Sequence, residues 1–517
     1  MILRKWRRVL QGAAIALTLA SFAGLEERCS LPDALAEEAP PKQEWIYADA
    51  FLVWIYDKPR RNRTPIGYLR AGQRARRRRG SNGTPIVPLR GKNCRGKWYA
   101  IEPKGFLCVD HRASTQPTRY WTSMKSLLPA KGAYPFSYVL SMGARSYRRL
   151  PTQEEWLTQE AFFGKPRIRP LPRHWRGHDQ LITKSPLSSS QPAAAVPDFL
   201  NDQGSVARST EERLVRRDVP FGSMLAIHST FQANGRDWLM SADGTIVPME
   251  RMRSFRPSEF EGVDLRQEGL SLPLAWAKTP TPHYQFREEK GTTSQSLTEF
   301  SSAPREKILL SGQTKRWRSK TWYQTNEGTW VAEQNLYLAR EEKPPPRIKR
   351  RMNGVGSTQE KGSHTDKSQD WIHFSIGSGT LVTYEGTEPT FATLASPGMG
   401  GQPRRGVSSL EGRTTPLGTF EIQFKHRSDD MSPEVGEHRK YWIADVPHAM
   451  YFSPPFAIHV AYWHENFGEP MSGGCINVSP KDGARLFVWT SPPLPEGWYG
   501  VGASSEFGRG TVIKITR

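Results

Sequence analysis

Apolar residues along this chain come in short runs, each closed by glycine, proline or a polar turn. Phe51 to Tyr56 (FLVWIY) is one such run. Ile66 to Leu69, Gly96 to Ile101 and Gly105 to Val109 follow the same style. Short runs rich in aromatic and β-branched residues predict strands rather than helices. Residues 45–128 therefore read as one small β-domain. Residues 129–342 are less regular. Pro151-Thr152-Gln153-Glu154-Glu155 puts proline and acids in a first turn and predicts a helix start. Met224 to Ile227, Trp238 to Met240, Lys320 to Thr325 and Thr329 to Ala332 predict strands, with turns at Asn234-Gly235, Asp243-Gly244 and Gly328. This stretch is expected to hold additional small β/α modules, with Ser185 to Pro197 as a Ser/Pro/Ala-rich loop. Residues 343–369 turn basic, then Pro-rich and Gly/Ser-rich, and predict a linker before the last domain. Residues 370–517 are strand-dense: Trp371 to Ile376, Thr380 to Tyr384, Thr390 to Ala395, Thr419 to Phe424, Ala457 to Val460 and Thr511 to Ile515. A short helix is expected from Asp482 to Val488, after Pro480.

Composition supports a mostly-β reading. Of 517 residues, 44 are Gly and 41 Pro, against only 37% hydrophobic, which disfavours helical bundles. The formal charge of +21 would suggest nucleic acid in a cytosolic protein. The N-terminus argues against that compartment. Arg4, Lys5, Arg7 and Arg8 precede a short apolar stretch from Ala13 to Ala23, and both Ser21-Phe22-Ala23 and Ala34-Leu35-Ala36 suit signal cleavage. Residues 1–36 are read as a secretory signal, too short in apolar length for a membrane anchor. Export to the periplasm or cell envelope follows, with no nucleic-acid partner and no stable membrane insertion after cleavage. An oxidising compartment then bears on Cys29, Cys94, Cys108 and Cys475. Cleavage after Ala36 removes Cys29, Cys94 and Cys108 form a disulfide within one small segment, and Cys475 stays free. Cleavage after Ala23 would leave Cys29 as an odd thiol.

The candidate chemistry lies between Phe456 and Asn477. His459 ends an apolar run, a polar loop follows, and Ser472-Gly473-Gly474-Cys475-Ile476-Asn477 sets a lone cysteine after two glycines. This spacing suits a strand, a loop and a second strand returning to one point. A thiol becomes a strong nucleophile when an imidazole takes its proton. The two glycines let backbone approach a substrate and turn N–H groups toward an oxyanion. Most lone cysteines are inert core residues, but this one is flanked by turn formers. His448 and His464 lie nearby, yet no CxxC or HxxxH spacing supports zinc, so no metal is expected.

These residues resemble the catalytic motif of YkuD-type L,D-transpeptidases, through His459, Ser472, Gly474, Cys475, Ile476 and Asn477. Gly473 stands where the family has histidine. Arg413 to Ile422, with Thr415-Pro416-Leu417-Gly418-Thr419-Phe420, and Val478 to Phe487 extend the likeness over residues 370–517. The resemblance implies a β-sandwich or barrel with minor helix that acts on peptidoglycan stem peptides without a cofactor. It implies Cys475 as nucleophile, His459 as base, and the Val460 carbonyl as the group orienting the imidazole. Gly473, Gly474 and Cys475 N–H groups would hold the oxyanion. Ser472, Asn477, Trp463 and His464 are read as substrate-binding, with Ser472 also hydrogen bonding within the motif, Asn477 holding either the turn or a stem peptide, and Trp463 and His464 either lining the groove or packing the loop. Two alternatives stay open: a cysteine carboxypeptidase or amidase, and a non-catalytic wall-binding protein. Residues 45–128 resemble a bacterial SH3-like domain, which implies peptide or cell-wall binding. Arg74 and Arg76 to Arg79 are read either as a solvated hairpin tip or as a patch attracting anionic envelope glycans.

Overall fold

The computed structural model describes residues 44–61, 64–164, 180–183, 187, 196–201, 214–352, 369–431 and 441–517. The expected signal segment lies outside them, as does most of the Ser/Pro/Ala-rich loop. The chain is mostly β, in open sheets; none closes into a barrel among the described residues.

The C-terminal region is two sheets packed face to face. One has six strands, in the order Val263–Asp264, Glu388–Leu394, Thr380–Glu385, Asp370–Ser375, Val512–Thr516, Gly418–Glu421. The other contributes Phe424–Met431, Ile443–Ser453, Phe456–Val460 and Ile476–Val478. Period-two alternation decides what each strand covers. In Asp370–Ser375, Ile372 and Phe374 face the partner sheet, where they meet Met450, Phe452, Ile458 and Ile476. Trp371, just before Ile372, faces the other way and stacks on Tyr384 with ring centroids 4.3 Å apart. This sheet is buried on both faces, which explains its near-continuous apolar runs. The helix Pro480–Trp489 packs Leu486 and Phe487 into the same core. Its start is capped by Ser479, whose Oγ accepts from Asp482 N at 3.2 Å, and proline occupies its first turn. Its last carbonyls are met by a fully buried lysine: Lys425 Nζ donates to Phe487 O at 2.6 Å and to Thr490 O at 2.7 Å.

The upstream regions do not stand apart as separate modules. Gly67–Leu69 pairs with Gly500–Gly502, and Met224–Ala233 pairs with Ile443–Ser453, so one sixteen-strand sheet runs from residue 53 into the C-terminal region. Val263–Asp264 adds an edge strand to the six-stranded sheet. Arg70 ties three regions together. Its guanidinium pairs with Asp445, donates to Tyr499 Oη at 2.7 Å and reaches Ala242 O at 3.2 Å. Burial alone would raise the Asp445 carboxyl, but Arg70, Ser428 and Tyr499 hold it below its ordinary value. The expected linker also begins as structure. Pro346–Met352 is a helix, and Ile348 is fully buried in the Trp371–Tyr384 core. The reason is a single apolar side chain at the right height in an otherwise basic segment; residues 353–368 lie outside the described residues.

The basic run is engaged rather than a loose tip. Arg74–Arg76 is a strand paired with Trp45–Ala48. Arg76 and Arg79 both bridge Glu44, Arg77 is buried, and Arg78 lies over the Phe106 ring at 5.4 Å. Cys94 and Cys108 are bridged beside Trp98, and Cys475 is in no disulfide among the described residues.

Candidate active site

Strands Phe456–Val460 and Ile476–Val478 run parallel, with His459 in register with Asn477. Register partners in neighbouring strands share a face of the sheet, and so do residues two apart in one strand. His459 and Asn477 are therefore brought to one side although a loop separates them in sequence, and Cys475 lies just ahead of the Asn477 strand. All five residues of the histidine strand are buried, which holds the imidazole in a rigid bed.

Both imidazole nitrogens are engaged. Nδ1 lies 3.0 Å from Val460 O, and Nε2 lies 3.0 Å from Asn477 Nδ2. A carbonyl cannot donate, so Nδ1 carries the hydrogen of the neutral ring. Nε2 then presents its lone pair and accepts from the Asn477 amide. The ring is 2% exposed, and this burial pushes its pKa down to about 4, against an opposing pull from the Val460 carbonyl. The imidazole is thus neutral near pH 7, with its basic nitrogen accepting from Asn477.

Cys475 is partly exposed at the head of its strand, with Sγ 3.8 Å from Pro455 O. The turn before it is closed by Ser472, whose Oγ donates to Cys475 O at 2.6 Å and accepts from Gly474 N at 3.0 Å. The two glycines differ in kind. Gly474 has φ +133, and a Cβ there would lie 2.4 Å from the Phe456 ring and 3.0 Å from Thr414 O. Only glycine fits this close approach. A Cβ on Gly473 would meet nothing within 4 Å.

Several expected roles change with this geometry. The Gly474 N–H, expected at the oxyanion, is held by Ser472. Of the roles expected for Ser472 and Asn477, the internal ones are seen here: Ser472 closes the turn and Asn477 holds the imidazole. Trp463 and His464, expected either to line a groove or to pack the loop, are 5% and 0% exposed. Trp463 packs 6.1 Å from the His459 ring and 5.0 Å from Tyr462, and His464 lies 5.0 Å from Phe467. Their aromatic character suited core packing as well as substrate contact, and burial decided for the core. His448 packs on Phe487, away from the motif.

Two groups of residues around the site were not singled out from the sequence. Ser396 to Met399 runs along the motif. Ser396 and Asn477 exchange backbone hydrogen bonds at 2.8 and 2.9 Å, and Met399 N donates to Ser472 O at 2.8 Å. Upstream residues hold the loop between His459 and Cys475. Gln180 Nε2 donates to Asn466 Oδ1 at 2.8 Å, Ser258 Oγ donates to Glu465 at 3.0 Å, and Tyr337 Oη donates to Glu469. Tyr138 stacks on Tyr462 at 3.6 Å. No local pattern announces such contacts, because each depends on a partner more than seventy residues away. Among the described residues, no group of three or more His, Cys, Asp or Glu side chains is arranged to hold a metal.

Residues 369–515 match the family model of the L,D-transpeptidase catalytic domain, YkuD. No curated protein matches the chain. Among solved structures, the chain is similar to the L,D-transpeptidase (residues 123–326) of Xylanimonas cellulosilytica, with 20% identity over 33% of this chain and 70% of that one, at a TM-score of 0.19. The catalytic domain of the E. faecium L,D-transpeptidase is 17% identical over 30% of this chain and 99% of its own, at a TM-score of 0.20. An L,D-transpeptidase from Mycobacterium smegmatis is 14% identical over 54% of this chain and 90% of its own, at a TM-score of 0.21.

Proposed function

Since residues 369–515 form an L,D-transpeptidase catalytic domain, we propose that the protein is an envelope enzyme that remodels peptidoglycan stem peptides through a cysteinyl thioester. The observation that carries this reading is a partly exposed thiol next to a Gly-Gly turn, two residues before the asparagine whose amide donates to a buried, neutral imidazole. In the reaction, His459 Nε2 exchanges the Asn477 amide for the Cys475 thiol proton. The thiolate attacks the carbonyl before the terminal residue of the donor stem. The tetrahedral oxyanion is met by Gly473 and Cys475 N–H groups, since Gly474 N–H is engaged with Ser472. Collapse breaks the C–N bond, and the His459 proton leaves with the amine. The Nδ1–H···O=C Val460 bond supports the imidazolium between these steps. An amine of a neighbouring stem then attacks the thioester, forms the new amide and returns the proton to sulfur.

The basic N-terminal stretch supports export, and the +21 charge supports electrostatic retention by an anionic envelope. Incubation with purified sacculi, followed by muropeptide analysis, tests the reaction. New cross-linked muropeptides are expected. Shortened but uncross-linked stems would make water the acceptor, and unchanged sacculi would refute the enzyme reading. Carbapenem treatment with mass spectrometry should give one adduct, lost in Cys475→Ser.

A further inference from the structure

The seven-stranded sheet built from residues 274–339 has two unlike faces. One is a dry core that includes Ile308, Tyr323, Val331 and Leu338. Period two places a different set on the other face. Tyr284 is in register with Trp330 and with the exposed Leu297, and Trp322 is in register with Lys315 and Ala332. Phe286 and Trp317 continue the rows. These five rings touch one another: Phe286 lies 5.3 Å from Trp317, 5.3 Å from Trp322 and 5.7 Å from Trp330, and Tyr284 lies 5.2 Å from Trp322. Trp322 is the buried floor; the other four rings are half-buried, and none joins a hydrophobic core. Among the described residues, every ring contact of this cluster is internal to it.

We infer that this aromatic face binds the polysaccharide strands of the wall polymer, and so holds the catalytic region on its substrate. Isolated exposed apolar residues need no explanation, but a contiguous patch of rings marks a binding surface. The apolar C–H face of a pyranose matches the electron-rich face of an aromatic ring. Charge favours the same occupant. The hairpin beside the rings reads Lys315-Arg316-Trp317-Arg318-Ser319-Lys320, four cations in six residues. Arg318 lies over Trp317 at 4.3 Å and Lys315 over Phe286 at 5.2 Å. A face that mixes rings with cations suits a hydroxyl-rich polymer carrying carboxylates better than it suits a dry protein partner. The choice of polymer rests on the peptidoglycan reading above; the surface is separate from the cysteine site.

The test uses the full chain and glycan strands stripped of stem peptides by an amidase. Native protein should bind them, with a change in tryptophan fluorescence. Trp317→Ala combined with Trp330→Ala should weaken binding at least tenfold, while carbapenem acylation of Cys475 stays within twofold. Trp317→Phe keeps a stacking ring and should stay within threefold of native, which separates stacking from general damage. Failure of native protein to bind stripped strands would overturn the inference, as would equal binding by the double variant. Preferential binding to anionic lipid vesicles or single-stranded nucleic acid would overturn it too. So would a native dimer in sedimentation that the double variant loses, which would assign the face to a second copy. Because stripped strands carry no stem peptide, their binding is read independently of turnover: lost cross-linking with intact strand binding would sink the catalytic reading alone.

Discussion

At the scale of single residues, two contrasts are decisive. The first is between His459 and an ordinary histidine. With its pKa pushed down to about 4 by burial, His459 remains a free base well below pH 6.5. The acid limb of carbapenem acylation should therefore fall near pH 4; a limb near pH 6.5 in stopped-flow measurements would mean the imidazole is solvated during the reaction. The second contrast is between neighbouring glycines. Gly473 has room for a side chain and Gly474 does not. Gly473→His recovers on the order of 0.5–1 kcal/mol of backbone entropy, so acylation should change by less than about tenfold. Gly474→Ala forces a Cβ into the Phe456 ring at a strained φ, worth about 1–3 kcal/mol of strain. It should lose acylation while Gly473→His keeps it. The reverse order would place the essential freedom at the wrong glycine.

At the scale of elements, the loop between the histidine and cysteine strands is held from outside the catalytic region. Its acidic residue Glu469 accepts from Tyr337 on the strand Leu336–Ala339, and the Tyr337 ring packs against Gly468. A hydrogen bond to a carboxylate is worth about 1.5–3 kcal/mol. Tyr337→Phe should raise hydrogen exchange in residues 461–474 and leave the helix Pro480–Trp489 protected. Equal exchange in both proteins would show that Tyr138, Ser258 and Gln180 suffice.

At the scale of the whole molecule, buried ionisable groups link the regions and set acid stability. Removing one partner of a buried ion pair costs about 3–5 kcal/mol, because the other charge stays buried. Arg70→Met should therefore lower the temperature at which Cys475 loses acylation, although Arg70 and Asp445 belong to distant parts of the chain. An unchanged inactivation temperature would mean that Tyr499 and Ser428 alone keep Asp445 satisfied. His373, His448 and His459 are each held near pKa 4 by burial, against 6.5 when unfolded. The unfolded chain then binds more protons between pH 6.5 and 4, so their stabilisation is complete above 6.5 and fades as pH falls through that window. Each group accounts for on the order of 3 kcal/mol. Asp482 and Asp430, whose carboxyls burial raises to about 6, and Glu465, which burial also raises, act the other way, so their contributions are lost as pH rises. Burial also lowers His228, His283 and His426, so six imidazoles outweigh three carboxyls, and denaturation midpoints should drop between pH 6.5 and 4. A flat profile there would contradict the burial of these imidazoles.

Strand-forming segments, the helix after Pro480 and the grouping of His459 with the Gly-Gly-Cys turn were all legible in the chain. Each rests on local periodicity, turn chemistry or a short motif, and those are properties of neighbouring residues. The helix even runs Pro480–Trp489, close to the expected span. The roles of Asn477, Trp463 and His464 were not legible, because a polar or aromatic side chain reads alike whether it meets substrate or the protein's own interior. Only the parallel register of His459 with Asn477 turned the asparagine onto the imidazole. The fusion of the N-terminal and middle regions with the catalytic sheets was also hidden. It depends on pairings such as Tyr68 with Gly500 and Met224 with Ile443, hundreds of residues apart. Local sequence determines which segments become strands and which side chains can do chemistry. Which strand edge finds which partner, and so which groups are buried, is settled only when the whole chain competes for the same apolar surface.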